Sequence, residues 1–230
     1  MALLEVCTGS LQSVVNAVSG GAQRIELCSA LSLDGLTPSI GLLSKVRQMY
    51  PELTVHVLIR PREGNFVYSE AEVGVMENDI RAALPFADGI VIGALTADGD
   101  VDMMAMRRLM SAAEGRPVTF HRAFDVCREP LVAMEQIIEL GCRRVLTSGQ
   151  QPTALQGVTL LRQLRDLSED RLIIMPGGGV NAANAREIVS QVMTSEIHGS
   201  CASPDPSKRR GERKGETSAQ EVSRVLASLS

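Results

Sequence analysis

The sequence alternates short runs of apolar and β-branched residues with amphipathic stretches of helix length, and the alternation occurs eight times. Such a pattern is typical of βα units, in which helices cover a sheet of parallel strands. Eight regular units predict a compact (β/α)8 TIM barrel of the α/β class, and a doubly wound open sheet is the alternative. The predicted strands are 3–8, 24–29, 54–60, 89–94, 117–123, 143–149, 171–176 and 195–200.

Helix signals fall between the predicted strands. Ser39 follows a proline and opens the second helix, Asp102 caps the fourth, and Pro130 lies in the first turn of the fifth. The predicted helices lie near 10–19, 39–49, 70–84, 102–113, 130–140, 153–168, 182–192 and 218–229.

One segment breaks the alternation. The chain has 230 residues, 44% of them hydrophobic, so it can bury a full core and we expect one domain over 1–230. Residues 203–217 are polar and rich in Pro, Gly, Lys and Arg. We interpret them as a mobile polar loop between the last strand and the last helix. The alternative is a basic lid, because a loop that leaves strand eight starts at the active face of a barrel.

Composition excludes several classes of function. The formal net charge of −4 and the low aromatic content argue against nucleic acid as a partner. No apolar run approaches the length of a membrane span, and the first residues lack the pattern of a secretion signal. The five cysteines form an odd, sparsely spaced set without a disulfide or zinc-finger pattern. We therefore expect a cytoplasmic protein with reduced thiols.

A short phrase occurs in both of the first two strands, as Leu4-Glu5-Val6-Cys7 and as Ile25-Glu26-Leu27-Cys28. Successive side chains of a strand point to opposite faces. If the aliphatic residues of each phrase pack against helices, each glutamate and each cysteine faces the inside of the barrel. An acid and a thiol that recur on two consecutive strands indicate a chemical site rather than a plain core.

The same alternation places more polar side chains on the inner face. Arg60, His121, Ser148 and His198 share it near the carboxyl ends of strands three, five, six and eight, where barrel sites are built. His56 comes earlier in its strand, so we expect it deeper in the barrel. Buried charges need partners, so we expect the inward charged groups to neutralise one another or a ligand. A buried structural network is the alternative to a functional site.

A glycine run ends strand seven. Consecutive glycines before a helix expose backbone N–H groups next to the positive end of the helix dipole, which suits an anion. Barrels often bind phosphate with the loops after strands seven and eight. The predicted anion-binding residues are Gly177, Gly178, Gly179, Gly199 and Ser200. A tight turn without a ligand is the alternative.

Several longer sequence motifs together resemble those of the CutC copper homeostasis family. They run in order from residue 3 to about residue 200: Leu4-Glu5-Val6-Cys7, Arg24-Ile25-Glu26-Leu27-Cys28-Ser29, Thr37-Pro38-Ser39, Ile59-Arg60-Pro61-Arg62, Gly93-Ala94-Leu95-Thr96, Phe120-His121-Arg122-Ala123-Phe124-Asp125, Leu146-Thr147-Ser148-Gly149 and Met175-Pro176-Gly177-Gly178-Gly179. The resemblance implies a cytosolic TIM barrel with a role in copper tolerance, and a homo-oligomer, either a dimer or a tetramer. It also implies Cu(I) binding through Cys7 and Cys28. Beyond residue 200 the chain departs from the family pattern.

Two functional hypotheses follow. The first is a copper homeostasis protein whose Cys7 and Cys28 bind Cu(I), a soft ion that prefers sulfur ligands. The second is an enzyme that acts on a small anionic metabolite, with phosphorylated metabolites among the candidates. In that enzyme Glu26, His121 and His198 would supply acid–base groups, Arg60 would orient or neutralise the substrate, and the glycines would hold its anion.

Overall fold

The computed structural model describes residues 2–202 and 215–230 of the chain. Eight strands alternate with eight α-helices. The strands are β1 (Leu3–Thr8), β2 (Arg24–Leu27), β3 (Thr54–Leu58), β4 (Gly89–Ile92), β5 (Val118–Phe120), β6 (Arg144–Thr147), β7 (Ile173–Pro176) and β8 (Glu196–Gly199). The helices are α1 (Leu11–Ser19), α2 (Ile40–Met49), α3 (Glu70–Ala83), α4 (Met103–Ala112), α5 (Pro130–Glu139), α6 (Val158–Ser168), α7 (Ala185–Val192) and α8 (Ala219–Ser228).

All strand pairs are parallel, and the strands follow the order β7-β6-β5-β4-β3-β2-β1-β8. A doubly wound sheet reverses its strand order in the middle, whereas here neighbours in space are neighbours in the chain. The two ends of this order also meet, since the Thr194 hydroxyl donates to the Ile174 carbonyl at 2.5 Å. The predicted (β/α)8 barrel is confirmed, and the open-sheet alternative is wrong.

Side-chain caps fix the starts of several helices. The Ser39 hydroxyl accepts from the backbone N–H of Leu42, and Asp102 accepts from Ala105 at the start of α4. Pro130 is the first residue of α5, where its missing N–H costs nothing. These three predicted signals are confirmed because each depends only on local sequence.

Two helices begin later than predicted. The expected start of α6 was residue 153, but turns occupy 151–157 and the helix begins at Val158. The expected start of α7 was residue 182, but the helix begins at Ala185. Before α7 the Asn181 side chain accepts from the Ala183 N–H, and the Asn184 side chain accepts from the Asn181 N–H. Such local hydrogen bonds compete with a helix, so they delay it.

Two apolar layers follow the alternation of side chains along the strands. The main core lies between strands and helices and includes Val6, Ile25 and Val57, each fully buried. Inside the barrel lies a second, small cluster of Cys7, Cys28, Leu58 and Val91. The predicted inward and outward faces of the strands therefore match the structure.

The segment expected to form a mobile loop, 203–217, falls mostly outside the described residues, which resume at residue 215. On either side of the gap, Ala202 and Thr217 form an antiparallel bridge, and the Ser218 N–H donates to the Cys201 carbonyl. Among the described residues, no helix is both long enough and apolar enough to cross a membrane.

Candidate functional site

A cavity of about 570 Å³ opens at the carboxyl ends of the strands. Its volume lies in the range typical of small-molecule sites. Its lining combines thiols, carboxyl groups, imidazoles, guanidinium groups and glycines from six of the eight strands or the loops that follow them. The lining residues with this chemistry are Cys7, Glu26, Cys28, Asp34, Gly35, Arg60, Gly64, His121, Arg122, Asp125, Gly178, Gly179, His198 and Gly199, and Ser200 lines the cavity as well.

The two thiols meet at one side of this cavity. Strands β1 and β2 pair with Cys7 opposite Glu26, so Cys28 lies one inward position further along β2. The Sγ atoms of Cys7 and Cys28 are 3.9 Å apart, and Cys28 Sγ also lies 3.5 Å from the Thr8 carbonyl oxygen. Both cysteines are free and buried. The pKa of Cys7 is raised well above its usual value by the hydrogen bond with Cys28, by burial and by the charge of Glu26.

Glu26 and His198 lie next to Cys7. One ligand atom from each of these three residues lies within 4.8 Å of the others, and all three residues are buried. His198 Nε2 is 3.4 Å from Glu26 Oε2. Burial raises the pKa of Glu26, while the charge of His198 opposes that rise. Among the described residues this is the only group of three or more potential metal ligands.

Glu5 lies beneath this group. The pairing of β1 with β8 places Glu5 opposite His198, and His198 Nδ1 donates to Glu5 Oε1 at 3.0 Å. Burial lowers the pKa of His198, but hydrogen bonds with Cys7 and Glu5 outweigh burial and raise it well above its usual value. Burial alone would raise the pKa of Glu5, yet hydrogen bonds from His198 and His56 hold it well below its usual range. His198 therefore lies between the side chains of Glu5 and Glu26.

Deeper in the barrel lies an ionic network that the sequence analysis missed. Arg24 Nε lies 2.8 Å from Glu5 Oε2, and Glu196 pairs with both Arg24 and Arg144. His56 donates to Glu5 at 2.7 Å, which agrees with its expected deep position. Arg24 and Arg144 lie two residues before Glu26 and Leu146, so they point to the same inner face. The alternation of side chains along these strands could therefore have predicted their inward position. Part of the inward polar set is thus structural, as the alternative reading allowed.

Among the described residues Arg60 does not pair with the inward acids, so of the two partners expected for its charge a ligand is the one that stays a prediction. Its guanidinium donates to the carbonyls of Leu33, Gly35 and Gly64 at 2.8 to 3.0 Å. Arg60 lines the cavity, whereas Glu5 does not, and only 4% of Arg60 is exposed. Loop carbonyls, rather than carboxylates, hold this charge, because the loops after β2 and β3 both contribute acceptors to it.

His121 is also separate from the inward acids. Its Nδ1 accepts from the Ala123 N–H at 3.2 Å, so the ring proton of the neutral imidazole is on Nε2. Burial and the charge of Arg60 lower its pKa to about 3. A Cβ at Gly93 would lie 2.6 Å from His121 Nδ1, so the glycine provides the space for the ring.

The glycine run forms a turn that only glycine adopts readily. Gly178 and Gly179 have φ values of +105° and +71°. Both line the cavity, whereas Gly177 does not, because its N–H donates to the Thr147 carbonyl at 2.9 Å. Gly177 is therefore the member of the predicted anion-binding set that the geometry leaves out. Gly199 and Ser200, at the end of β8, line the cavity as well.

Arg122 is a second residue that the sequence analysis did not single out. Its Nε donates to Asp125 at 2.7 Å and its Nη2 donates to the Ser148 hydroxyl at 3.1 Å. Ser148 is buried but turns toward Gln151, whose carbonyl accepts its hydroxyl, and it does not line the cavity. Ser148 thus supports Arg122, and this arrangement explains its inward position without a nucleophilic role.

The fold and the site define a class: a (β/α)8 barrel with a buried thiol–carboxylate–imidazole group at the carboxyl end of its strands. The model of the CutC family matches residues 2–203. The chain is 49% identical over 195 residues to a CutC family protein of Bacteroides thetaiotaomicron, with 84% of this chain and 78% of that protein covered. The chain therefore belongs to the CutC family.

Two further relatives agree with this assignment. The human copper homeostasis protein cutC homolog is 47% identical over 202 residues, which cover 87% of this chain and 74% of the human protein. The crystal structure of CutC from Streptococcus agalactiae superposes with a TM-score of 0.83 at 33% identity, over 87% of this chain and 99% of that one.

Proposed function

We propose that this protein binds Cu(I) as its cargo, with Cys7 and Cys28 as the sulfur ligands, and so acts in copper homeostasis. The observation that carries the proposal is the 3.9 Å separation of the two Sγ atoms at the barrel mouth. Two metal–sulfur bonds of about 2.3 Å, the length found for zinc thiolates, can span this separation. Two thiols are the ligands that a soft monovalent copper ion prefers.

The separation also suggests a third ligand. Two collinear bonds of about 2.3 Å would separate the sulfurs by about 4.6 Å, which is more than the 3.9 Å found here. The S–Cu–S angle of an ion held by both thiols is therefore bent, which leaves one side of the ion open to a third donor. Glu26 and His198 are the adjacent donors, whereas the nearest inward methionine, Met175, contacts Arg24 in the deeper network. Reduced thiols persist in the cytoplasm, which is the location we propose.

The first test is a Cu(I) competition titration against a chromogenic chelator under reducing conditions. We expect the Cys7→Ser, Cys28→Ser double variant to bind Cu(I) about 100-fold more weakly or worse, because both sulfur ligands are lost. The matched control is a Cys127→Ser, Cys142→Ser double variant, which removes two buried thiols outside the cavity. Circular dichroism checks that each variant is folded. Equal affinities in the two double variants would refute the proposed site.

A second candidate function is an acid–base enzyme for a small anionic metabolite, with Glu26, His121, His198 and Arg60 in the roles given above. The observation that favours it is the chain Glu5–His198–Glu26, with contacts of 3.0 and 3.4 Å. Burial raises the pKa of Glu26, which is how proteins prepare a carboxyl group to exchange protons near neutral pH. Such an enzyme needs a place for the anionic group of its substrate. The homo-oligomer expected from the family resemblance stays a prediction.

A further inference from the structure

Two N–H groups near Phe66 lack an acceptor among the described residues. Arg60 Nε and His121 Nε2 are buried and have no hydrogen-bond partner there, and both residues are at least 95% buried and line the cavity. A buried donor without an acceptor is unfavourable, because it has lost its hydrogen bonds to water and gained none in return. Two such donors in one region therefore indicate a place where an acceptor binds.

The charge of this region points to an anion. Within the described residues no carboxylate lies within 4 Å of the Arg60 guanidinium, although every other arginine that points into the barrel pairs with one. The Arg60 charge is strong enough at His121 to help lower the pKa of that imidazole. A buried positive charge without a counterion is unfavourable, and an anionic ligand would offset its cost.

His121 is fixed as a donor rather than an acceptor. The Ala123 N–H occupies Nδ1, so Nε2 carries the hydrogen, and the pKa of about 3 keeps the ring neutral at physiological pH. The Phe66 ring covers both donors: its centroid lies 5.0 Å from that of His121 and 5.1 Å from Arg60 Cζ. Phe66 is only partly buried and follows exposed residues in the loop between β3 and α3, so it can move aside to admit a ligand.

A second group of donors lies across the cavity. Gly178 and Gly179 expose backbone N–H groups that have no acceptor among the described residues. The Arg122 guanidinium stands over the same turn, since its Cζ lies 3.6 Å from the position that a Cβ of Gly178 would take. Backbone N–H groups beside a guanidinium form a recurrent site for carboxylate and phosphate groups.

We propose that this side of the mouth binds a small organic acid, with one oxyanion on Gly178, Gly179 and Arg122 and an acceptor oxygen on Arg60 and His121. The cavity of about 570 Å³ is far larger than one phosphate ion, so the ligand is a metabolite with two oxygen-bearing ends. The inference deepens the second candidate function, which needs such a site. It does not depend on copper, because neither Cys7 nor Cys28 is among the residues that hold the anion.

The test is a ¹⁵N NMR titration of the full chain with two probes, inorganic phosphate and malonate, with chloride at equal ionic strength as the salt control. We expect saturable shifts at the Gly178 and Gly179 amides and at His121 Nε2–H, with millimolar or tighter affinity. Tighter binding of phosphate than of malonate would identify the ligand as a phosphate ester. Tighter binding of malonate would identify it as a dicarboxylic acid. Shifts that chloride reproduces, or that do not saturate, would mean an adventitious ion only and would overturn the proposal.

Variants separate this site from the thiol site. Arg122→Gln and His121→Phe should each weaken binding about tenfold or more, since each removes a donor to the ligand. Arg47→Gln is the matched control for Arg122→Gln, because Arg47 also pairs with an aspartate, Asp88, but lies outside the cavity. The Cys7→Ser, Cys28→Ser variant should bind the anion as wild type does. If the protein binds the anion but not Cu(I), only the copper proposal is refuted. If it binds Cu(I) but not the anion, only the anion site is refuted.

Discussion

At the scale of single residues, the pKa values of the two inward histidines at the mouth are shifted in opposite directions, for reasons visible in their contacts. His198 lies between Glu5 and Glu26, and its hydrogen bonds raise its pKa despite burial. His121 lies beside Arg60 and accepts a backbone hydrogen bond, so its pKa is lowered to about 3. The sequence placed both rings on the same face, but only the neighbours decide the direction in which each pKa shifts.

The lowered pKa of His121 predicts a pH dependence of stability. Between pH 6.5 and about 3 the unfolded chain binds a proton at His121 that the folded chain does not. Its contribution to stability is therefore full above pH 6.5 and is lost as the pH falls below that value. As the pH falls from 7 to 5, we expect the free energy of unfolding of the wild type to drop by about 2 kcal/mol more than that of His121→Gln. Urea denaturation of both proteins at the two pH values measures the difference, and parallel pH profiles would contradict the assignment.

At the scale of secondary-structure elements, β4 shows how one strand makes room for its neighbours. A Cβ at Gly89 would lie 2.5 Å from His56 on β3, and one at Gly93 would lie 2.6 Å from His121 after β5. The inward position between them, Val91, belongs to the small cluster with the two thiols. Each glycine thus leaves the space that one imidazole ring occupies.

This complementarity predicts the effect of one methyl group. We expect Gly93→Ala to destabilise the protein by about 1–3 kcal/mol, because the buried His121 ring cannot move away. Gly74→Ala is the matched control: nothing lies within 4 Å of its added Cβ in the interior of α3, so alanine should stabilise that helix by about 0.5–1 kcal/mol. Urea denaturation measures both changes. Equal stabilities of the two variants would show that Gly93 is not needed for space.

Comparison of particular elements shows what sequence could predict. The period of two along β1 and β2 was enough to bring Cys7, Glu26 and Cys28 to one cavity, because alternation does not depend on distant contacts. The partner of each charge was not predictable, because it depends on strand register and loop shape. Arg60 binds the carbonyls of a loop whose path the sequence does not specify, and Arg122 is held by Asp125 in another loop.

At the scale of the whole molecule, the strand order joins each βα unit to the next and β1 to β8. The interior of the ring then has two levels: an ionic network around Glu5, Arg24 and Glu196 below, and the cavity above. The lower level holds five of the eight strands together through side chains, because its members come from β1, β2, β3, β6 and β8. Opening one unit breaks contacts on both sides of it, so we expect the barrel to unfold cooperatively.

Cooperative unfolding predicts how the thiols react. Burial raises the pKa of Cys142 to about 12, so at pH 8 only about one molecule in 10⁴ has the reactive thiolate. Cys142 lies outside the cavity, whereas Cys7 lines it. In iodoacetamide labelling followed by mass spectrometry, we therefore expect Cys142 to react only through global unfolding, with the same urea dependence as circular dichroism. Cys7 should react through the mouth in native buffer, more slowly than a free thiol because its pKa is also raised. Labelling of Cys142 in native buffer as fast as that of Cys7 would show that the helical layer opens locally, and the barrel would then not unfold as one unit.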